Sequence, residues 1–265
     1  MPREITAFSN PLVKRVRSLR DKRHRREEGK FIAEGLRILT EAQESGRLPR
    51  HLFYAAEGAG HARLQALAAA TEAAGGEAIL TTEDILHKLS GKDNPQAVLG
   101  VFEAFDTALE RIDRSAASIW IVAQSLRDPG NLGTILRTGD AVGAGGLILV
   151  DECVDPFSVE AVRASMGALF TQAIAQATWT DFLRWLRSGP GQLVGLSLRA
   201  DADYRAADYR TPAFLLVGNE ARGLPPEYET ACDLRVKLPM RGRADSLNAA
   251  VATAVLAYEV LARQA

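Results

Sequence analysis

SIWIVAQSLRDPGNLGTILRTGDAVGAGGLILVDE, residues 118–152, decides the fold. SIWIVAQ is a continuous apolar strand, LRDPGNLG a turn, LGTILRTGDAVG a helix and GGLILVDE a second buried strand. Asn131 is placed to cap the helix. Two near-continuous apolar strands joined through a helix predict a parallel sheet covered on both faces. The same reading extends downstream. AIAQA (173–177), QLVGLSL (192–198), AFLLVGNE (213–220) and LRVKLPM (234–240) are strands. Asp155-Pro156 predicts N-cap and N1 of a helix running to about Leu169. WTDFLRWLRSG is a helix closed by Gly189. SLNAAVATAVLAYEVLARQ is a long terminal helix with Leu247, Val251, Val255, Tyr258 and Leu261 on one side. Ligands bind at the loops that follow such strands, which singles out DPGNLG, GNEARGLP and PMRGRADSLN.

Upstream, FIAEGLRILTEAQESG (31–46) carries Leu36, Leu39 and Ala42 at helical spacing, and Gly46 can end the helix. HLFYAAE (51–57), EAILTT (77–82) and QAVLGVF (96–102) read as strands. Between them lie an Ala-rich helix from His61 and a helix capped by Thr82 and stopped by Gly91. This alternation predicts a small α/β domain. Residues 103–117 are polar and lack a core pattern. The expected division is a basic arm over 1–30, an α/β domain over 31–104, a linker over 105–117 and a second domain over 118–265.

The 265 residues are 47% hydrophobic and 25% charged, the balance of an ordinary globular protein. Two cysteines, Cys153 and Cys232, do not make a disulfide framework. The four histidines lack metal-ligand spacing, so no metal is expected. No apolar run is long enough to span a membrane, and the start has no secretory pattern, so a reducing cytoplasm is expected. The formal net charge of −1 hides an asymmetry. Residues 1–30 hold ten Lys/Arg against four Asp/Glu; the rest holds 22 against 29. A basic arm on an acidic body points to a polyanion partner such as RNA, with Lys14, Arg15, Arg17, Arg23, Arg25 and Arg26 as candidate contacts. A solvated helix is the bland alternative. No aromatic interleaves the run, so base stacking is not expected there.

G-x-G-x-x-G, the Walker loop and the G-x-S-x-G elbow are all absent. The polar residues of the three loops, among them Asn131, Glu220, Ser246 and Asn248, can each be read as caps or solvated groups. Arg137 can be a surface residue of its helix. Gly218, directly after a strand, favours close approach of backbone to a ligand, or is a plain turn glycine.

VRASMGALF (162–170), the 128–150 stretch, LLVGNEARGLPPE (215–227) and LPMRGRADSLNAAVATAVLAYE (238–259) together resemble the TrmH/SpoU family of RNA 2′-O-ribose methyltransferases, in the SPOUT superfamily. FSNPLVKRVRSL, FIAEGLRIL and NPQAVLGVF are similar to its members with an N-terminal RNA-binding extension. The resemblance implies a parallel sheet with a trefoil knot, preceded by a small α/β domain like those of RNA-binding ribosomal proteins. It implies a homodimer with the active site near the dimer interface, and S-adenosylmethionine as cofactor. Gly218, Leu238 and Leu247 match its cofactor-contacting positions, with Val217, Pro239 and Asn248 lining the cleft. Arg137 matches the activating residue; Asn131, Glu220, Ser246 and Asn248 match positions that orient it and the ribose. Gly139 and Val142 depart from the Ala and Phe of many relatives, at packing positions. The implied substrate is structured RNA, rRNA ahead of tRNA. A non-catalytic RNA-binding or ribosome-assembly factor and a base-nitrogen methyltransferase are the alternatives; the Ser246-Leu247-Asn248 motif favours the ribose branch.

Overall fold

The computed structural model describes residues 3–91 and 96–264. In chain order the elements begin with β1 (Arg3–Ile5), α1 (Pro11–Ser18), α2 (Lys22–Glu28), β2 (Lys30–Glu34), α3 (Leu36–Glu44), β3 (His51–Ala55), α4 (Ala62–Ala73), β4 (Glu77–Thr81), α5 (Glu83–Ser90) and β5 (Val98–Glu103). There follow β6 (Ile119–Gln124), α6 (Pro129–Ala141), β7 (Gly146–Val150), α7 (Val159–Ser165), α8 (Ala168–Thr171), β8 (Ala173–Ala177), α9 (Trp179–Arg187) and β9 (Gln192–Leu196). The chain ends with β10 (Ala202–Asp203), β11 (Ala213–Val217), α10 (Pro226–Ala231), β12 (Leu234–Lys237) and α11 (Ala249–Ala262). Among the described residues no helix is long and apolar enough to cross a membrane.

These elements form two compact units, residues 1–105 with Asp155–Thr171, and Asp106–Val154 with the chain from Gln172 onward. The first holds a five-stranded mixed sheet in the order β1-β4-β3-β5-β2. Phe31 of β2 faces Phe102 of β5 in antiparallel register. The second holds seven strands in the order β10-β12-β9-β11-β6-β7-β8, every pair parallel, which is the sheet the apolar runs predict.

The expected division is corrected in three places. Residues 1–30 are no free arm: Ile5, Val13, Val16 and Leu19 are buried in one core with Phe53, Ile79, Ile85 and Leu89. The stretch 105–117 is no free linker. Leu109 and Ile112 lie in the second unit's core with Trp120 and Phe214, and the Arg114 guanidinium sits 4.1 Å over the Trp185 ring. Thirdly, Asp155–Thr171 packs into the first unit. Phe157 lies 5.0 Å and Phe170 6.0 Å from Phe31, ring centre to ring centre. Arg25 donates from Nε (2.9 Å) and Nη2 (2.7 Å) to Asp155 Oδ2.

Several helix boundaries also move. FIAE forms β2, and α3 begins only after Gly35, whose φ of 97° turns the chain. Asp128, not Asn131, caps α6, its carboxylate accepting from the Asn131 backbone N–H at 2.6 Å. Ser158, not Asp155, caps α7, which stops at Met166 in the left-handed region before α8 begins. Asn248 rather than Ser246 caps α11. The face of α11 that the apolar spacing marks is not buried. Ala250, Leu256, Ala257 and Val260 turn inward, while Val251, Tyr258 and Leu261 remain exposed.

Candidate functional site

Parallel strands β6 and β11 are neighbours, so the loops leaving their C-terminal ends meet. Glu220, three residues past β11, reaches the loop after β6. Its carboxylate accepts from the backbone N–H groups of Arg127 (3.2 Å) and Asp128 (3.0 Å) and from Asn131 Nδ2 (3.1 Å). Asn131 Oδ1 in turn accepts from Asn248 Nδ2 at 2.8 Å. Asn248 Oδ1 caps α11 through the N–H groups of Ala250 and Val251. A single polar chain, Glu220–Asn131–Asn248, thus ties β11, α6 and α11 together. Asn219 adds a second tie, donating from Nδ2 to the Ser125 carbonyl at 2.8 Å.

Burial pushes the Glu220 carboxyl up, but the N–H groups of Asp128, Glu220 and Arg127 and the Asn131 amide outweigh it and hold it below the usual carboxylate range. Glu220 is therefore an ionised anchor at neutral pH and not a proton acceptor. A lowered folded-state pKa adds stability above the unfolded pKa, lost as pH falls through the folded one. Glu220→Gln is expected to lower the melting temperature at pH 7 and to narrow its gap to the native protein as pH falls through the carboxylate range. A gap that stays constant across that range would contradict the anchor role.

Two clefts flank this chain. One, of about 360 Å³, is lined by Leu196, Leu198, Val217, Gly218, Leu238 and Leu247, and Ser246 stands at its wall. The other, of about 880 Å³, is lined by Gln124, Arg127, Asn131, Glu220 and Asn248. The first suits a flat, apolar-faced group carrying polar edges. Leu198 and Leu247 stay 60% and 42% exposed there, which leaves two apolar walls without a partner. Gly218 has a structural reason for being glycine. A Cβ there would lie 2.3 Å from the Gly223 carbonyl carbon and 2.5 Å from the Leu224 nitrogen, so the close approach it permits is of its own loop.

Of the residues expected in the site, Asn131, Glu220 and Asn248 are bonded together, and Val217, Gly218, Leu238, Leu247 and Ser246 share the smaller cleft. Asn248 lines the larger cleft instead, and Pro239 lines neither. Arg137 also lines neither. It is exposed on α6, and its side chain makes no hydrogen bond or ion pair among the described residues. The sequence reading missed a buried carboxylate, paired with an exposed arginine, beside the smaller cleft. Glu229, 5% exposed, accepts from Arg199 Nη2 (2.9 Å) and Nε (3.2 Å) and from the Ser197 hydroxyl. Its signal was available, because Ser197–Arg199 directly follows β9 at the same end of the sheet.

The basic segment divides by partner. Arg15 pairs with Glu28 and Arg23 with Glu27. Lys14, Arg17 and Arg26 are exposed and make no ion pair among the described residues. Arg25 is corrected outright: it is 6% exposed, with its Nη1 donating to the Leu19 and Arg20 carbonyls, and is a core residue, not an RNA contact.

The model of the SpoU rRNA methylase family matches residues 118–258. The chain belongs to that family. The model of the MRM3-like substrate binding domain matches residues 10–100. A 23S rRNA (uridine(2479)-2′-O)-methyltransferase of Streptomyces viridochromogenes is 32% identical, over 91% of this chain and 85% of that one. A 23S rRNA (guanosine(2553)-2′-O)-methyltransferase of Bacillus subtilis is 26% identical, over 97% of this chain and 99% of that one. The crystal structure of an rRNA methyltransferase from Sinorhizobium meliloti with S-adenosylmethionine bound superposes with a TM-score of 0.92 at 40% identity, over 99% of this chain and 98% of that one.

Proposed function

We propose that this SpoU-family chain transfers the methyl group of S-adenosylmethionine to a ribose 2′-hydroxyl of rRNA. The observation that carries the reading is the Glu220–Asn131–Asn248 chain set between the two clefts. It fixes the three loops at which a cofactor and a nucleotide must meet, and positioning is the main demand of a direct methyl transfer. The cofactor supplies an electrophilic methyl on a sulfonium centre. Leu198, Leu238 and Leu247 would hold its adenine, and the backbone of the Gly218 loop would take its polar edges. Asn131 and Asn248 lie on the larger cleft, where they orient the ribose. The 2′-hydroxyl is a weak nucleophile until its proton is lost or its oxygen stabilised. A guanidinium stays protonated, so Arg137 acts by binding the nucleotide's phosphate and the charge that develops on the 2′-oxygen.

The working form is a homodimer. Val251, Tyr258 and Leu261 line up at helical spacing on α11 and stay 49%, 53% and 37% exposed, an apolar stripe of the kind that marks a protein interface. The neighbouring loops 218–224 and 238–248 belong, in this reading, to a trefoil knot. Cys153 and Cys232 are unpaired, which suits a protein of the reducing cytoplasm. The test is methyl transfer from labelled S-adenosylmethionine to unmodified rRNA and tRNA, followed by nuclease digestion. Label on the ribose of an rRNA nucleotide is the expected result. Label on a base, or S-adenosylmethionine binding without transfer to any RNA, would overturn the reading.

A further inference from the structure

Six large apolar side chains are exposed among the described residues. Leu198 and Leu247 belong to the smaller cleft, and Val251, Tyr258 and Leu261 to the α11 stripe. Phe8, at 48% exposure, belongs to neither. Its surroundings are unlike those of a stray surface aromatic. The turn that carries it is closed by Asn10 N–H on the Ala7 carbonyl at 3.1 Å. Asn10 then caps α1 through the Leu12 N–H at 2.9 Å, and Pro11 fixes the first helical position. The ring is thus held out from a backbone that has little freedom left. Lys88, on the last turn of α5, places its ammonium 5.6 Å from the ring centre. Helices α1 and α5 share one core, Val13 and Val16 lying with Ile85, Leu86 and Leu89, so the Phe8–Lys88 pairing is set by packing.

Helix α1, which starts three residues past Phe8, adds further cations. Lys14 and Arg17 stand one turn apart on α1, both exposed and without an ion pair among the described residues. Arg15, on the other flank of the same helix, is already engaged by Glu28. An aromatic face with cations around it is what a single-stranded nucleic acid requires. A base stacks on the ring, the flanking phosphates meet the cations, and no base identity is demanded. A duplex hides its base faces and cannot use the ring.

We propose that Phe8 is a stacking platform for an unpaired RNA base, with Lys88, Lys14 and Arg17 taking the adjoining phosphates. This departs from the expectation that no base stacks on the basic segment: Phe8 lies within residues 1–30, ahead of Lys14, and a third cation comes from α5, eighty residues further on. The proposal rests on the methyltransferase reading only in taking RNA as the polyanion.

The test uses the full chain and fluorescence anisotropy with a short labelled oligouridine and a labelled RNA duplex of equal length. Phe8→Ala is expected to weaken oligouridine binding about five- to hundredfold, to leave the duplex little changed, and to be rescued by Phe8→Trp. The salt dependence should stay as steep in Phe8→Ala, whereas Lys14→Ala or Arg17→Ala should each lower its slope by about 0.7. S-adenosylmethionine binding, followed by calorimetry, should be the same in all variants. Three results would overturn the proposal: native protein that does not bind oligouridine, Phe8→Ala that binds it as tightly as native protein, or equal losses on strand and duplex. A Phe8 that serves a protein partner would give the second. None of the three touches the methyltransferase reading as long as rRNA is still methylated; that reading fails separately, on loss of cofactor binding by the native chain.

Discussion

Arg137→Ala is expected to lower the rate of methyl transfer at least a hundredfold, roughly the cost of removing one donor from a site that stabilises developing negative charge. S-adenosylmethionine affinity should be unchanged, since Arg137 lines neither cleft of its own chain. That separation is also the difficulty. Asn131 and Arg137 stand six residues apart on α6, about 240° around the helix. When Asn131 turns inward to Glu220, Arg137 turns outward. Helix α11 packs on α6 and carries the exposed stripe. If a second copy docks on that stripe about a twofold axis, α6 of each chain would come towards the cleft of the other, and Arg137 would then serve its partner's site. Mixing Arg137→Ala with Asn131→Ala, each inactive alone, should recover about a quarter of native activity. Half the reassorted dimers are mixed, and each of those has one intact site. A mixture that stays inactive would refute action across the dimer. An active Arg137→Ala protein would remove Arg137 from the chemistry altogether.

The sequence made some of this legible and hid the rest for physical reasons. Six of the seven strands of the parallel sheet were legible from local apolar pattern, whereas the two-residue β10 carries no such pattern and was missed. The three loops that meet at Glu220 could be picked out because strand ends in such a sheet are where sites form. Which side chains bond there could not be read. Asn131 looked like a cap, yet Asp128 takes that role and frees the Asn131 amide to link Glu220 to Asn248. The same limit explains the segment 155–171. Phe157, Val159, Val162, Leu169 and Phe170 announce burial, but an apolar period does not say against which partner. Nothing local shows that the chain goes back to the first unit for that stretch and then resumes the parallel sheet. Charge is the weakest guide. Ten cations in thirty residues suggested an RNA-contacting arm with Arg25 in it, while Arg25 answers to a carboxylate 130 positions away.

Arg25→Ala is accordingly expected to destabilise the first unit by about 3–5 kcal/mol, the range for breaking a buried ion pair by removing one partner. The Asp155 carboxylate would be left largely enclosed without its cation, and the Leu19 and Arg20 carbonyls would each lose a donor. The Asp155 oxygen that accepts from the Phe157 N–H holds the turn leading into α7, so the Phe157 ring against Phe31 is at risk as well. Lys14→Ala and Arg17→Ala, on the exposed side of α1, should change stability by no more than about 0.5 kcal/mol. Urea unfolding of the full chain, monitored by the fluorescence of a label placed in the first unit, distinguishes the two classes. Replacing Arg25 and Asp155 together by apolar residues of similar volume should restore much of the loss, because no unpaired charge then remains. Arg25→Ala protein as stable as the native chain would overturn the structural role and return Arg25 to the RNA-contact set. If the loss appears, weakened RNA binding on deleting residues 1–30 cannot be read as the loss of a contact surface. The deletion takes Arg25, Val13, Val16 and Leu19 out of the core at once, and the unit that carries the surface goes with them.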